Sequence, residues 1–361
     1  MNEVGAKKEE LDTPALLIDL DLMEKNLKKM ADFLRAKNAK LRPHIKVHRT
    51  PIIARKQIES GAVGVCCQKV RQAEVMVEGG IKDVFVPNIV ATPSKISRLA
   101  SLARYANVTV LVDDDVNAEQ LSSAAQKMGS TLGILVDVHV GSERFGVGPG
   151  QPALELARKV GALKGLRFLG LMANIGFLSY NEPRAERRAM VEKVEMPLVE
   201  TKELLEKSGI KVERLSSGST GTYDVSANNR EIDEIRPGSY ALMDRHYHEH
   251  VPEFDCAMRV LGTVISKHPE GIIVLDVGMA SMSVEHGNPE LVNSDGLEVH
   301  QVHAENLLLK AKKTVKITVG DKIELIPSYL DGTVVRHEKF YGMRNGQVET
   351  VWDIMGRDAS Y

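Results

Sequence analysis

Apolar and β-branched runs alternate with amphipathic stretches along the first two-thirds of the chain. The runs lie at Leu41–Ile45, Val63–Cys67, Val84–Pro87, Val108–Val112, Leu132–Val138, Leu166–Ala173, Val212–Leu215 and Gly238–Met243. Helical periodicity fills most of the gaps, at Lys69–Glu78, Pro93–Tyr105, Asn117–Met128, Pro152–Val160 and Ala185–Ser208. Such units in series predict an α/β fold, a (β/α)8 TIM-type barrel rather than an open doubly wound sheet. No Gly-x-Gly-x-x-Gly stretch follows an early strand, which also argues against a dinucleotide-binding fold. Beyond Arg245 the pattern changes to short strand-like runs at Met258–Val264, Ile272–Leu275, Thr314–Val319, Lys322–Ile326, Thr333–Tyr341 and Gln347–Trp352. These predict an all-β domain, into which Ala15–Asp19 can pair because a full helix, Asp21–Lys37, separates it from the first barrel strand. The expected division is a barrel over 22–250 and a β-domain built from 1–21 and 251–361.

Polar residues gather where the predicted strands end, which is where barrel enzymes place their chemistry. The first strand ends at His44 and Lys46, and the next three at Gln68, Asn88 and Asp113. The fifth ends at Asp137 and His139, then Arg144, and the sixth at Asn174. The seventh runs into Ser216-Ser217-Gly218-Ser219-Thr220-Gly221-Thr222, and the eighth carries Gly238-Ser239-Tyr240. Lys46 sits among Arg42, His44, His48 and Arg49. A lysine crowded by cations at a strand end can lose its proton and act as an amine nucleophile, forming an imine with an aldehyde cofactor. The Ser216–Thr222 stretch offers hydroxyls and a glycine-containing backbone suited to a phosphate dianion, and barrel phosphates sit after strands seven and eight. Lysine and phosphate cradle together point to pyridoxal phosphate.

Composition narrows the setting. Basic and acidic residues nearly balance, 47 against 49, so no nucleic-acid or membrane-surface partner is expected. No apolar run reaches the length of a membrane span, and the start Met1-Asn2-Glu3-Val4 lacks a signal-peptide profile. With 3 cysteines, two of them adjacent, a disulfide framework is excluded, and a reducing, cytoplasmic setting is expected.

Several segments resemble one family in combination: Arg42-Pro43-His44-x-Lys46-x-His48, Cys66-Cys67-Gln68-Lys69, Arg144-x-Gly146-Val147, Gly218-Ser219-Thr220-Gly221-Thr222-Tyr223-Asp224 and Pro237-Gly238-Ser239-Tyr240. They look like the D-threonine aldolase and D-serine dehydratase group, fold-type III pyridoxal phosphate enzymes with an alanine racemase-like barrel and C-terminal β-domain. The likeness runs from about Leu11 to Trp352. It implies that Lys46 carries the covalent link to the cofactor and that Arg144 faces its phenolic oxygen. Ser217, Gly218, Ser219, Thr220, Gly221 and Thr222, with Gly238 and Ser239, would hold the phosphate. His44, Gln68 and Tyr240 would line the cofactor, and Asn174 is the candidate for its pyridine nitrogen. It also implies a homodimer in which one chain's β-domain completes its partner's barrel mouth.

The family's divalent metal (zinc, manganese or magnesium) is held by a His and, two residues on, a Cys or Asp after a Pro. Here the segment reads Pro327-Ser328-Tyr329-Leu330-Asp331, so only Asp331 matches and Tyr329 stands in the histidine's place. A phenol is a poor neutral ligand and one carboxylate seldom fixes a cation, so loss of the metal from this pair is expected. Two other clusters, His246–His250 and His300-x-x-His303 with Glu305, offer ligands, and most of these read as surface or hydrogen-bonded histidines. His303 is the exception, because the resemblance places it near the active site.

The resemblance implies a small D-amino acid substrate. Retro-aldol cleavage needs a base at the β-hydroxyl, for which Tyr329, His303 or His48 would serve. Cleavage of a D-3-hydroxy amino acid to glycine and an aldehyde therefore ranks first. A racemase or epimerase using Lys46 and Tyr329 on opposite faces ranks second. Dehydration of D-serine or 3-hydroxyaspartate ranks third, because expelling hydroxide benefits most from a Lewis acid. A cofactor carrier without turnover ranks last, since it would not need the β-domain.

Overall fold

The computed structural model describes residues 3–180 and 183–361, so the chain start read for a leader, Met1-Asn2, lies outside the described residues. The chain forms two compact units, one comprising Met30–Lys46, Pro51–Gly238 and Ala359–Tyr361, the other Met1–Lys29, Val47–Thr50 and Ser239–Asp358.

The first unit is an eight-stranded parallel sheet in the order Lys40–Leu41, Glu234–Ile235, Arg214–Ser217, Leu166–Met172, Leu132–Asp137, Asn107–Val112, Asp83–Ile89, Val65–Cys66. Its two ends meet in a parallel bridge between His44 and Cys66, where the Cys66 N–H donates to the Pro43 carbonyl at 2.8 Å. The strands thereby curl into a barrel, as the alternating pattern predicts. Cys66, Phe85, Leu111, Leu135, Leu169 and Met172 come from successive strands and pack into one buried cluster, so the interior is a filled core. Burial pushes the Cys66 thiol up to about 12, which makes it an inert packing residue.

The last barrel strand differs from expectation. Gly238–Met243 is not a strand; the pairing segment is Glu234–Ile235, and a short 3-10 turn covers Ser239–Ala241. Its buried glutamate hides the strand from an apolar-run reading. Glu234 accepts from Arg42 Nε at 2.6 Å and from Ser216 Oγ at 2.9 Å. Burial pushes the Glu234 carboxyl up, but Arg42 and Arg214 outweigh it and hold the group below the usual carboxylate range. A paired charge therefore fills a strand position where an aliphatic side chain is normal.

In the second unit Ala15–Asp19 pairs antiparallel with Met258–Lys267 and parallel with Lys339–Arg344, as the pattern suggests. The sheet continues through Ile272–Leu275, Leu307–Ala311 and Leu297–Val302 on one side and Gln347–Asp353 on the other. Lys322–Ile326 pairs with Met258–Lys267 as a branch. Two expectations are corrected here. The alternating Thr314–Val319 stretch is not a strand, and the Ile317 carbonyl accepts from Lys267 Nζ at 3.0 Å. Thr333–Tyr341 is split into a helical turn, Leu330–Val334, and the strand Lys339–Arg344, because Thr333 Oγ1 caps back onto the Tyr329 carbonyl at 2.7 Å. The hairpin Leu297–Val302/Leu307–Ala311 escapes the pattern because its first strand has no fully buried residue.

Candidate active site

Lys46 lies in a 3-10 turn, Ile45–Val47, directly after the first barrel strand. Ile45 and Val47 on either side of it are fully buried, which fixes the turn. His44 organises its backbone. Nε2 of His44 faces Gln68 Oε1 at 3.1 Å and Nδ1 faces the Lys46 N–H at 3.4 Å. The amide oxygen can only accept, so the proton sits on Nε2 and Nδ1 receives the Lys46 N–H. Asn88 Nδ2 donates to the Gln68 carbonyl at 3.1 Å, which links the ends of the first, second and third strands.

The loop after Arg214–Ser217 is built as a cradle. Gly218 has φ +76°, a left-handed conformation that side chains resist. A Cβ on Gly221 would meet the Ser179 carbonyl oxygen at 2.3 Å, so no larger residue fits. The Ser219 N–H donates to Thr222 Oγ1 at 3.0 Å and the Gly238 N–H to Thr220 Oγ1 at 3.2 Å. A hydroxyl that accepts in this way still has its own O–H to give to an anion. Ser216 departs from a phosphate role, since its hydroxyl donates to Glu234 and accepts from Arg236. Ser217 is fully buried.

Arg236, unread in the sequence, is a buried guanidinium that binds Ser216 Oγ and, at 2.8 Å, the Ala173 carbonyl. The one signal in the sequence is a cation directly before Pro237-Gly238. Asn174, in contrast, has its side-chain oxygen engaged by the Gly176 N–H at 3.1 Å in a local turn. Arg144 is exposed and stacks over Phe145, with 4.7 Å from guanidinium carbon to ring centroid.

Asp137 is buried at the end of Leu132–Asp137, and its Oδ1 has no hydrogen-bond partner among the described residues. Burial pushes its carboxyl up to about 8; Arg236 and Arg144 oppose the shift and Asp113 adds to it. The folded chain thus keeps a proton there up to about pH 8, whereas an unfolded Asp releases it near pH 4. The folded state binds more protons in that window, so stability falls as pH rises from about 4 to about 8 and levels off above. Urea midpoints of the cofactor-free chain, measured across this range, are expected to show the decline, and Asp137→Asn to flatten it. A variant curve with the wild-type slope would exclude Asp137 as the source.

An unsatisfied buried carboxyl oxygen, a positive-φ glycine in a hydroxyl-rich loop and an ordered lysine turn all belong to the barrel unit or its edge. Together they fit an aldehyde-bearing phosphate cofactor.

The remaining expected residues fall in the second unit. Ser239 accepts the Met243 N–H at 2.7 Å, and the Tyr240 ring packs edge-on against Phe254, 5.8 Å between centroids. His48 is fully buried, with Nδ1 taking the Thr50 N–H at 3.3 Å. His303 is exposed between the strands Leu297–Val302 and Leu307–Ala311. Tyr329 OH donates to Asp331 Oδ2 at 3.2 Å. Arg49 joins them. Burial pushes its guanidinium down, while Asp331 and Tyr329 oppose that. Arg49 itself is held at φ +52°, with the Gly356 N–H on its carbonyl at 2.9 Å.

A family model described as alanine racemase, N-terminal domain, matches residues 18–246, and one described as a putative serine dehydratase domain matches 257–343. The chain belongs to the alanine racemase N-terminal domain family. Within it, this alanine racemase-type chain is 36% identical to the 3-hydroxy-D-aspartate aldolase of Paracoccus denitrificans, over 99% of this chain and 95% of that one. It is 34% identical to the D-threonine aldolase of an Arthrobacter species, over 97% and 94%. The crystal structure of D-threonine aldolase from Filomicrobium marinum superposes with a TM-score of 0.96 at 36% identity, covering 99% of both chains.

Proposed function

We propose that this chain is a pyridoxal phosphate-dependent aldolase that splits the Cα–Cβ bond of a D-3-hydroxy amino acid into glycine and an aldehyde. The observation that carries this reading is the Tyr329–Asp331 hydrogen bond, in the segment where the family's metal pair is altered. Aldol cleavage asks for one thing at Cβ, a group that takes the hydroxyl proton. The phenolic oxygen receives it as its own proton moves toward Asp331, the substrate C–O becomes C=O, and the Cα–Cβ electron pair stays on Cα. When bound, pyridoxal phosphate supplies the electron sink that stabilises charge at Cα. Lys46 anchors the cofactor and returns a proton to Cα. Thr220 and Gly221 would hold the phosphate, with Gly238 orienting the Thr220 hydroxyl through its N–H, and the buried Arg236 and Asp137 would face the ring.

The reading includes a homodimer and a cytoplasmic setting. Cys66, Cys67 and Cys256 are buried free thiols, which suits a reducing compartment, and among the described residues no helix is long and apolar enough to cross a membrane. Incubation of the cofactor-loaded enzyme with D-threonine and with 3-hydroxy-D-aspartate tests it. Glycine with acetaldehyde or glyoxylate is the expected product pair. Ammonia with a 2-oxo acid would establish a dehydratase instead, and inversion without aldehyde a racemase.

A further inference from the structure

The short helix Arg245–His250 carries His246, Glu249 and His250 at relative positions i, i+3 and i+4. That spacing puts all three on one face. One donor atom from each lies within 4.8 Å of the others. His248, by contrast, bonds through Nδ1 to the Phe254 carbonyl at 2.9 Å, so the helix selects the 246/250 pair. Asp244 anchors the helix with both oxygens, taking the Tyr247 N–H at 2.7 Å and the Leu330 N–H at 2.9 Å. The same carboxylate therefore ties this helix to the residue after Tyr329. His286 stacks on His246 at 4.4 Å between centroids and 23° between planes, and its edge contact with Tyr329 is 4.9 Å. Arg245 Nη2 holds the His286 carbonyl at 2.9 Å.

We propose that His246, Glu249 and His250 form a divalent-metal site for zinc or a similar first-row cation, separate from the altered Tyr329–Asp331 pair. Two imidazoles and one carboxylate match a tetrahedral zinc set with one open position. Mixed nitrogen and oxygen donors favour zinc or cobalt over magnesium and calcium. Zinc bonds of about 2.0–2.2 Å put ligand atoms roughly 3.4 Å apart, so the side chains must close by about 1.5 Å, within the reach of rotamer adjustment. Glu249 shares itself: Oε1 takes Arg245 Nη1, and Oε2 is the oxygen facing His246 Nδ1, at 3.8 Å. The stacked His286 ring backs His246 and connects the site to Tyr329. The proposal is independent of the reaction catalysed.

The test is metal binding by the cofactor-loaded enzyme after chelator treatment, followed by cobalt absorption bands and zinc calorimetry. One equivalent per chain is expected, with magnesium failing to compete. His246→Ala and His250→Ala should each weaken zinc at least about 100-fold, and Glu249→Gln about 10-fold. Circular dichroism and cofactor content should stay unchanged. Asp331→Asn should leave affinity as it was. No saturable binding, binding indifferent to His246→Ala/His250→Ala, or binding lost with Asp331→Asn would each overturn the assignment.

Discussion

Replacing Lys46 with alanine is expected to lower turnover by about 10³-fold or more, because the amine is both the cofactor's anchor and a proton carrier. The barrel should survive the change. Lys46 is half-buried on a turn whose form depends on buried Ile45 and Val47 and on the His44–Gln68 contact, none of which uses the ammonium group. Thermal unfolding of the variant should therefore stay near wild type while the yellow colour of the bound cofactor disappears. Borohydride reduction of the wild-type enzyme, digestion and mass analysis should recover the cofactor on the Lys46 peptide. Its recovery on any other lysine would refute the assignment.

Tyr329→Phe carries the second large effect. It removes the hydroxyl bonded to Asp331 and keeps the ring that packs edge-on against His286. Losing a proton-transfer group typically costs about 10²–10⁴-fold in rate. The loss should appear in kcat, with cofactor affinity unchanged, since the ring remains and the phosphate loop lies in the other compact unit. Tyr329→His would restore a His-x-Asp pair with Asp331 and should make activity respond to added manganese or zinc through that pair. Co-expression of Lys46→Ala with Tyr329→Phe tests the homodimer. If each site draws Tyr329 from the partner subunit, a mixed dimer regains one intact site and measurable activity. A Tyr329→Phe enzyme at the wild-type rate would show that the ring merely fills the space of the family's imidazole.

Much of this was legible along the chain because barrel strands and helices differ in period. Runs such as Leu132–Val136 and Val108–Val112 are almost wholly apolar, with Thr109 the one polar side chain, since a parallel strand is buried on both faces. The phosphate loop was legible for a similar reason. Its composition, Ser-Gly-Ser-Thr-Gly-Thr, has a local meaning wherever it occurs. What one residue contributes to another far away in sequence is not written locally. Glu234 reads as a loop carboxylate, yet it forms a strand because Arg42, 192 residues away, neutralises it in the barrel. Arg236 reads as a turn cation and is buried because Ser216 and Ala173 receive its guanidinium. His246, His248 and His250 alternate along the chain, a spacing that would suit one face of an extended segment. Asp244 instead nucleates a helix by capping the Tyr247 N–H, and a 3.6-residue period joins His246 to His250. Local pattern thus determined most barrel strands, the lysine and the cradle. Long-range pairing of charges decided which polar residues are buried, burial without a paired charge decided which carboxyl keeps its proton, and the Asp244 cap decided which histidines share a face.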